Sequence, residues 1–391
     1  MHQERVAFAN TLRGVAAISV LIAHYTGAFW SSNREFTAAM INAPVLPLDR
    51  YGFPTYLLWL HSVPHFDWGS FGVGVFFLVS GFVIPLSLRR STWQAFLVGR
   101  FFRIVPLYVC GFSVTLLGIW LVGEYFGRPW PFTLGDVLVQ YIPGPQLFLW
   151  VRSIDGIVWT LEIELIFYVV CALAIIWLRK RSALAFLVPL IVAAIGLYVS
   201  GTVDDWKEGA IATYHLLLAI QWAAPFIVFM FIGVTFCYLH SAGLDRLQAI
   251  VLTAGLFMLF TVMAGEAKGI AGGGGLAFSY GLAVAVFAVA AMFPSMFRST
   301  VVGDFFAKIS YPLYVVHGVA GYAALRVLLD LGLKAWMSLI IVTAGAMGVA
   351  WLLHVSVEVP SHVLGKRMAA YFPRRGGNAA PSAVSAPTPT I

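Results

Sequence analysis

Ten apolar stretches punctuate this chain, near residues 11–30, 70–88, 104–123, 157–178, 183–200, 214–239, 247–264, 275–293, 309–329 and 336–356. Each approaches the roughly 20 residues that a helix needs to cross a bilayer. In hydrocarbon no water satisfies backbone N–H and C=O groups, so a spanning segment must hydrogen-bond internally. The pattern therefore predicts an all-α, polytopic membrane protein with about ten transmembrane helices. Composition agrees, since 60% of the 391 residues are hydrophobic and 10% charged, with a mean hydropathy of +0.88. Soluble domains carry about 25% charged residues.

Ten crossings place both termini on one side. That side collects 16 of the 24 Lys and Arg residues, and cytoplasmic loops are the ones enriched in these residues. Both termini are thus expected in the cytoplasm, with Arg89, Arg90, Arg100, Arg103, Arg179, Lys180, Arg181 and the 366–375 segment as markers. The net charge of +7 is scattered between apolar runs rather than gathered in a stripe, which argues against nucleic acid. Cys110, Cys171 and Cys237 have no paired spacing. They predict neither a disulfide framework nor a zinc site, and no metal is expected. No cleavable leader is expected, because the N-terminal residues run straight into a segment of spanning length. The outer side is expected to carry the long loop 31–69 and an aromatic, interfacial or partly re-entrant stretch 124–156. The glycines of 265–275 read as a linker, and residues 376–391, rich in Pro, Ala and Ser, read as a disordered cytoplasmic tail. Residues 1–375 form the transmembrane domain.

Several ionisable residues interrupt the apolar stretches. Arg at a helix centre costs about 2.5–3.5 kcal/mol on insertion scales, so such residues mark functional sites by default. Arg13 and His24 are 11 positions apart, about 20° beyond three full helical circles and about 16 Å along the axis. They share a face, as would suit a long ligand with an anionic head and a reactive tip, such as a coenzyme A thioester. The plainer alternative is a topology anchor and a helix-packing histidine. Glu162 and Glu164 differ by about 200° around a helix, whereas Glu164 and Tyr168, four apart, share a face. Glu164 is therefore assigned to a site, and Glu162, nearer the outer interface, is expected to meet water. His317 has Tyr314 three residues before it as its helical companion, with Tyr311 on the opposite side. Arg100 and Arg103 form an i, i+3 pair whose planar guanidiniums match phosphate geometry or simply mark topology. Ser80 and Gly81 would let helices approach closely.

In order, LRGVAAISVLIAHY, GVGVFFLVSGFVI, RFFRIVPLY, WTLEIELIFY, ISYPLYVVHG and EVPSH resemble the acyltransferase-3 family of integral membrane acyltransferases from about residue 8 to residue 362. The family's Arg-x10-His element falls on Arg13 and His24, Arg-x-x-Arg on Arg100 and Arg103, and Trp-x-Leu-x-x-Glu on Trp159, Leu161 and Glu164. Its late element falls on Ser310, Tyr311, Tyr314 and His317, and Glu-x-Pro on Glu358 and Pro360. Many relatives have Glu-Glu where this chain has Glu164-Leu165, and Ser where it has Glu162, which sets the role of Glu162 apart. Many also carry an added helix and a hydrolase-like domain that this chain is too short to hold, so a stand-alone form is expected. The resemblance implies transfer of an acyl group, most often acetyl, from acyl-CoA to hydroxyls of extracytoplasmic carbohydrates, in a bacterial inner membrane. It implies phosphate binding by Arg13, Arg100 and Arg103 and general-base work by His24, with Glu164 or His317 orienting or balancing it. Trp159, Tyr168, Tyr311, Tyr314 and Ser80 would serve substrate or structure. The other class the residues allow is a proton-coupled transporter or flippase for a lipid-linked sugar, with His24, Glu164 and His317 as a relay. Against it, no internal repeat is visible.

Overall fold

A computed structural model describes residues 4–30, 34–47, 49–89, 91–149, 153–156, 158–267, 274–297 and 300–373. Most of the 265–275 linker and the whole 376–391 tail lie outside the described residues. Every regular element among the described residues is a helix. Helix α1 (Glu4–Ile22) runs into a π-helical turn (Ala23–Gly27) and a 3-10 turn (Ala28–Trp30). After α2 (Arg34–Met40) come α3 (Trp68–Leu88) and α4 (Trp93–Tyr125), then the short α5 (Leu134–Gln140) and α6 (Pro145–Leu149). The chain continues as α7 (Val158–Leu173), α8 (Ile175–Lys180), α9 (Leu187–Thr202), α10 (Ile211–His240), α11 (Arg246–Glu266) and α12 (Gly274–Met292). It ends with α13 (Val301–Val316), α14 (Val319–Asp330), α15 (Ala335–Leu353), a second π turn (His354–Glu358) and α16 (Val359–Ala369).

The caps explain where several spans begin. Asp67 accepts the Ser70 N–H at 2.6 Å to start α3, Thr92 accepts the Ala95 N–H at 3.2 Å to start α4, and Asp245 with Gln248 forms a capping box at α11. Each satisfies an N–H that has no partner within the first turn.

Among the described residues eight helical stretches are long and apolar enough to cross a membrane, and nine if the bent pair α13–α14 is counted as one span. The chain is a multi-pass integral membrane protein. The expected span at 157–178 is instead α7, 16 residues, and α8, six residues, divided at Ala174. An averaged hydropathy window registers side chains and is blind to a backbone break. The expected span at 309–329 begins earlier, at Val301, and bends by 74° between Val316 and Val319. His317 accounts for the bend: its Nδ1–H donates to the carbonyls of Leu313 (3.0 Å) and Tyr314 (2.9 Å). The Leu313 carbonyl keeps its regular donor, the His317 backbone N–H at 3.0 Å, so it is at the Tyr314 carbonyl that the ring stands in for a following backbone N–H, where Gly318 leaves helical geometry with ψ −107°.

Helices α3 and α10 form the centre, with 72% and 83% of their most apolar windows buried within the protein, against 28% for α11 and α12. The outer helices show Leu247, Ile250, Met258 and Met292 on their surface, as a lipid-facing side requires. At the α3–α10 crossing a Cβ on Gly81 would lie 2.0 Å from the Met230 carbonyl oxygen, and one on Gly233 would lie 2.3 Å from that of Leu78. The backbones meet here because neither residue has a side chain. Among the described residues of the 124–156 stretch, Gln140, Gln146 and Asp155 are buried, and Tyr108 on α4 donates its hydroxyl to the Gln140 carbonyl at 2.6 Å.

Candidate active site

Three cavities meet around the first helix. The first, about 60 Å³, is lined by Arg13, Ser80, Arg103, Glu164, Tyr168 and Tyr311, together with Val73, Thr160 and Tyr314. A second, about 360 Å³, is lined by His24, Asp67, Trp159 and Trp222, and again by Val73, Thr160 and Tyr314. The third, about 220 Å³, opens from His24 toward Thr37, Asp155 and Tyr322. Arg13 and His24 therefore line two neighbouring chambers rather than one continuous site along the shared helical face that their spacing suggested. The chambers are divided by a thin wall of Val73, Thr160 and Tyr314, in which the Thr160 and Tyr314 hydroxyls are hydrogen-bonded to each other.

In the arginine chamber, Glu164 Oε1 accepts the Ser80 hydroxyl at 2.8 Å and the Tyr168 hydroxyl at 2.6 Å. The i, i+4 reading of Glu164 and Tyr168 holds, and Ser80 arrives from α3. Arg13, Arg100 and Arg103 all lie close enough to interact electrostatically with one another, and Arg13 and Arg100 do so with Glu164. Three guanidiniums around one carboxylate leave the region net positive. Arg100 stands beside the chamber rather than in its lining: it donates to the Ser87 hydroxyl at 2.9 Å and stacks over the rings of Phe96 and Tyr168, 5.2 Å from each centroid. Tyr311 donates to the Ile104 carbonyl at 3.0 Å, fastening α13 to α4. Ser310 is buried and bonded within its own helix.

At the other end, the π turn sets His24. Thr26 donates its hydroxyl to the Ile22 carbonyl at 2.7 Å, and the Trp30 indole donates to the Tyr25 carbonyl at 2.9 Å. These bonds brace a turn in which the Ala28 N–H reaches the Ala23 carbonyl five residues back, and π turns inside helices recur at functional sites. His24 Nδ1 lies 2.5 Å from the Tyr322 hydroxyl. The His317 ring stands edge-on to His24, centroids 4.9 Å apart. With Nδ1–H donated to its own helix, His317 keeps Nε2 as a lone-pair nitrogen, buried and without a hydrogen-bond partner. It abuts the imidazole of His24 but does not hold it by a hydrogen bond, and Glu164 lies across the wall. A three-residue relay through these groups is therefore not continuous.

Glu162 departs from expectation. It is 4% exposed, turned to the protein interior near Tyr108 rather than to water, because α7 is enclosed by neighbouring helices on that side too. Glu358 of the second π turn lies 2.6 Å from His354 Nδ1 and 4.0 Å from His362 Nε2. Cys171 and Cys237 are buried free thiols, and Cys110 is a partly buried one. Among the described residues no three His, Cys, Asp or Glu side chains are grouped to hold a metal ion.

Sequence reasoning missed Tyr322, Thr160, Trp222 and Asp67. Tyr322 follows His317 by five residues, about 140° around a continuous helix, so periodicity would set it aside. Only the bend at His317–Gly318 brings it to His24.

Residues 6–355 match the acyltransferase-3 family, described as an acyltransferase domain. Among characterised proteins the chain is similar to the exopolysaccharide production protein ExoZ of Rhizobium meliloti, with 30% identity over 171 residues, 42% of this chain and 51% of that protein. It is similar to nodulation protein 10 of Rhizobium leguminosarum bv. viciae, 29% over 144 residues, 33% of this chain and 39% of that protein. It is also similar to an O-acetyl transferase of Shigella phage Sf6, 26% over 149 residues, 36% and 44%. The matches span about half the length of these relatives or less. No solved structure matches.

Proposed function

Since the chain belongs to the acyltransferase-3 family, we propose that it is a membrane O-acyltransferase. It moves an acyl group, acetyl in the first instance, from cytoplasmic acyl-CoA to a hydroxyl of an extracytoplasmic carbohydrate or glycoconjugate. The observation that carries this reading is the placing of Arg13 and His24 on one helix, in adjoining chambers with a common wall. The relatives' printed names, exopolysaccharide production and O-acetyl transfer, support the substrate and group.

Arg13, Arg100 and Arg103 hold the phosphates, because planar forked donors match phosphate oxygens two at a time. Glu164, fixed by Ser80 and Tyr168, keeps the three cations together when no phosphate is bound. A chamber of about 60 Å³ has no room for a nucleotide, so the nucleotide stays at the mouth and the thin pantetheine arm enters. Its thioester reaches His24 by passing Val73, Thr160 and Tyr314, which requires the Thr160–Tyr314 hydrogen bond to open.

In the tautomer that leaves Nε2 as the base, His24 donates Nδ1–H to the Tyr322 oxygen, 2.5 Å away. Nε2 takes the proton from the acceptor hydroxyl, whose oxygen attacks the thioester carbonyl carbon. The C–S bond then breaks, and the CoA sulfur leaves with the proton carried by the imidazolium. A positioned general base of this kind contributes about 10²- to 10⁴-fold. The cluster of Arg13, Arg100 and Arg103 faces the cytoplasm, in keeping with the bias of Lys and Arg between the two sides.

The test is transfer of radiolabel from acetyl-CoA to surface glycan in membranes carrying the protein. Label accumulates with the wild type and falls about 10²-fold or more with His24→Ala. Export of a lipid-linked sugar that persists without any labelled glycan supports the transporter reading instead.

A further inference from the structure

The about 360 Å³ chamber falls within the range of small-molecule sites, and its walls are of two kinds. Trp159 of α7, Trp222 and Phe226 of α10 and Tyr280 of α12 supply aromatic rings. The Trp159 centroid lies 5.1 Å from Trp222 and 5.2 Å from Phe226, Trp222 lies 5.7 Å from Phe226, and Phe226 lies 6.1 Å from Tyr280. Because the rings touch one another, they form one continuous apolar wall. Polar groups come from different elements: His24 from the π turn and Asp67 and Ser70 from the start of α3. Asp67 gives Oδ1 to the Ser70 N–H at 2.6 Å, and Oδ2 remains as a second acceptor.

We propose that this chamber is the acceptor site and that it takes a pyranose ring, stacked by its C–H face on the Trp159–Trp222–Phe226 wall, with hydroxyls turned to Asp67, Ser70 and His24. The proposal rests on the acyl-transfer reading, because it makes the hydroxyl nearest His24 the one acylated. A pyranose has this division of surface, with clustered C–H bonds on a face and hydroxyls around the rim. Aromatic side chains bury the first and orient without binding a specific hydroxyl, while a carboxylate and a hydroxyl read the second. The same residues could in principle attract a quaternary ammonium, but aromatic cages for such cations set ring faces on several sides of a void. Here Trp222 stands edge-on to Trp159 at 71° and to Phe226 at 68°, so the rings pack against one another, and His24, Asp67 and Ser70 share the lining with them.

The experiment is saturation-transfer NMR on the protein in lipid nanodiscs without donor. The probes are the methyl glycopyranosides of glucose, galactose and mannose, with choline for comparison. At least one glycoside should receive saturation concentrated on the C–H protons of one ring face, and choline none. Trp222→Leu should cut that signal several-fold, and Trp222→Phe, which keeps a ring, should retain most of it. Acetyl-CoA binding, read by titration calorimetry, should be unchanged in both. Saturation of choline alone, of no glycoside, or of all ring protons equally overturns the proposal, and that map needs only the wild type. Signal that is unchanged in Trp222→Leu also overturns it. Failure of the acyltransferase reading shows separately, as absence of acetyl-CoA binding and of labelled glycan.

Discussion

At the scale of single residues, Tyr322 gives the sharpest prediction. Removing its hydroxyl in Tyr322→Phe deletes the partner of His24 Nδ1 without emptying space. A hydrogen bond of this kind is worth about 0.5–1.5 kcal/mol net, so the rate of acyl transfer should fall up to about tenfold. The KM for acetyl-CoA should stay put, as steady-state kinetics on the purified protein would show. A change confined to KM would place Tyr322 in donor binding instead. Tyr314→Phe breaks the Thr160 bond and loosens the wall, so acceptor-independent hydrolysis of acetyl-CoA should rise several-fold. An unchanged rate of CoA release would show that this bond is no barrier. The arginines, His24 and Glu164 were legible because a charge inside an apolar run is conspicuous. Tyr322, Trp222 and Thr160 were not, since they are ordinary in a membrane helix and acquire meaning only from what the fold sets opposite them.

At the scale of elements, the two glycines of the α3–α10 crossing carry the packing. Gly233→Ala sets a methyl group 2.3 Å from the Leu78 oxygen and should destabilise by about 1–3 kcal/mol or more, as overpacking does. Gly255→Ala on α11 meets nothing within 4 Å and should be neutral or slightly stabilising. Thermal unfolding in detergent should therefore separate the two variants; equal midpoints would contradict the crossing. The sequence shows most helices through apolar length, and even the close approach at Gly81 through its small-residue pattern. It conceals the break at Ala174, the bend at His317 and the π turn at His24. Those depend on which donors satisfy which carbonyls, and hydropathy carries no record of that.

At the scale of the whole molecule, the account needs the arginine end in the cytoplasm. A fluorescent protein fused after Ile391 should then fluoresce, and an alkaline phosphatase fused there should stay inactive; active phosphatase would invert the topology. The central claim is that acyl groups pass from the arginine chamber to the histidine chamber through the wall at Val73, Thr160 and Tyr314. Val73 is 7% exposed and lines both chambers, so Val73→Phe narrows the passage without touching a charged or proton-carrying group. The decisive measurement compares labelled acetyl transfer with CoA binding in this variant. The account predicts that transfer collapses by about 10²-fold, as if the base were absent, while CoA binds as in the wild type. Transfer at the wild-type rate through the narrowed wall would contradict it.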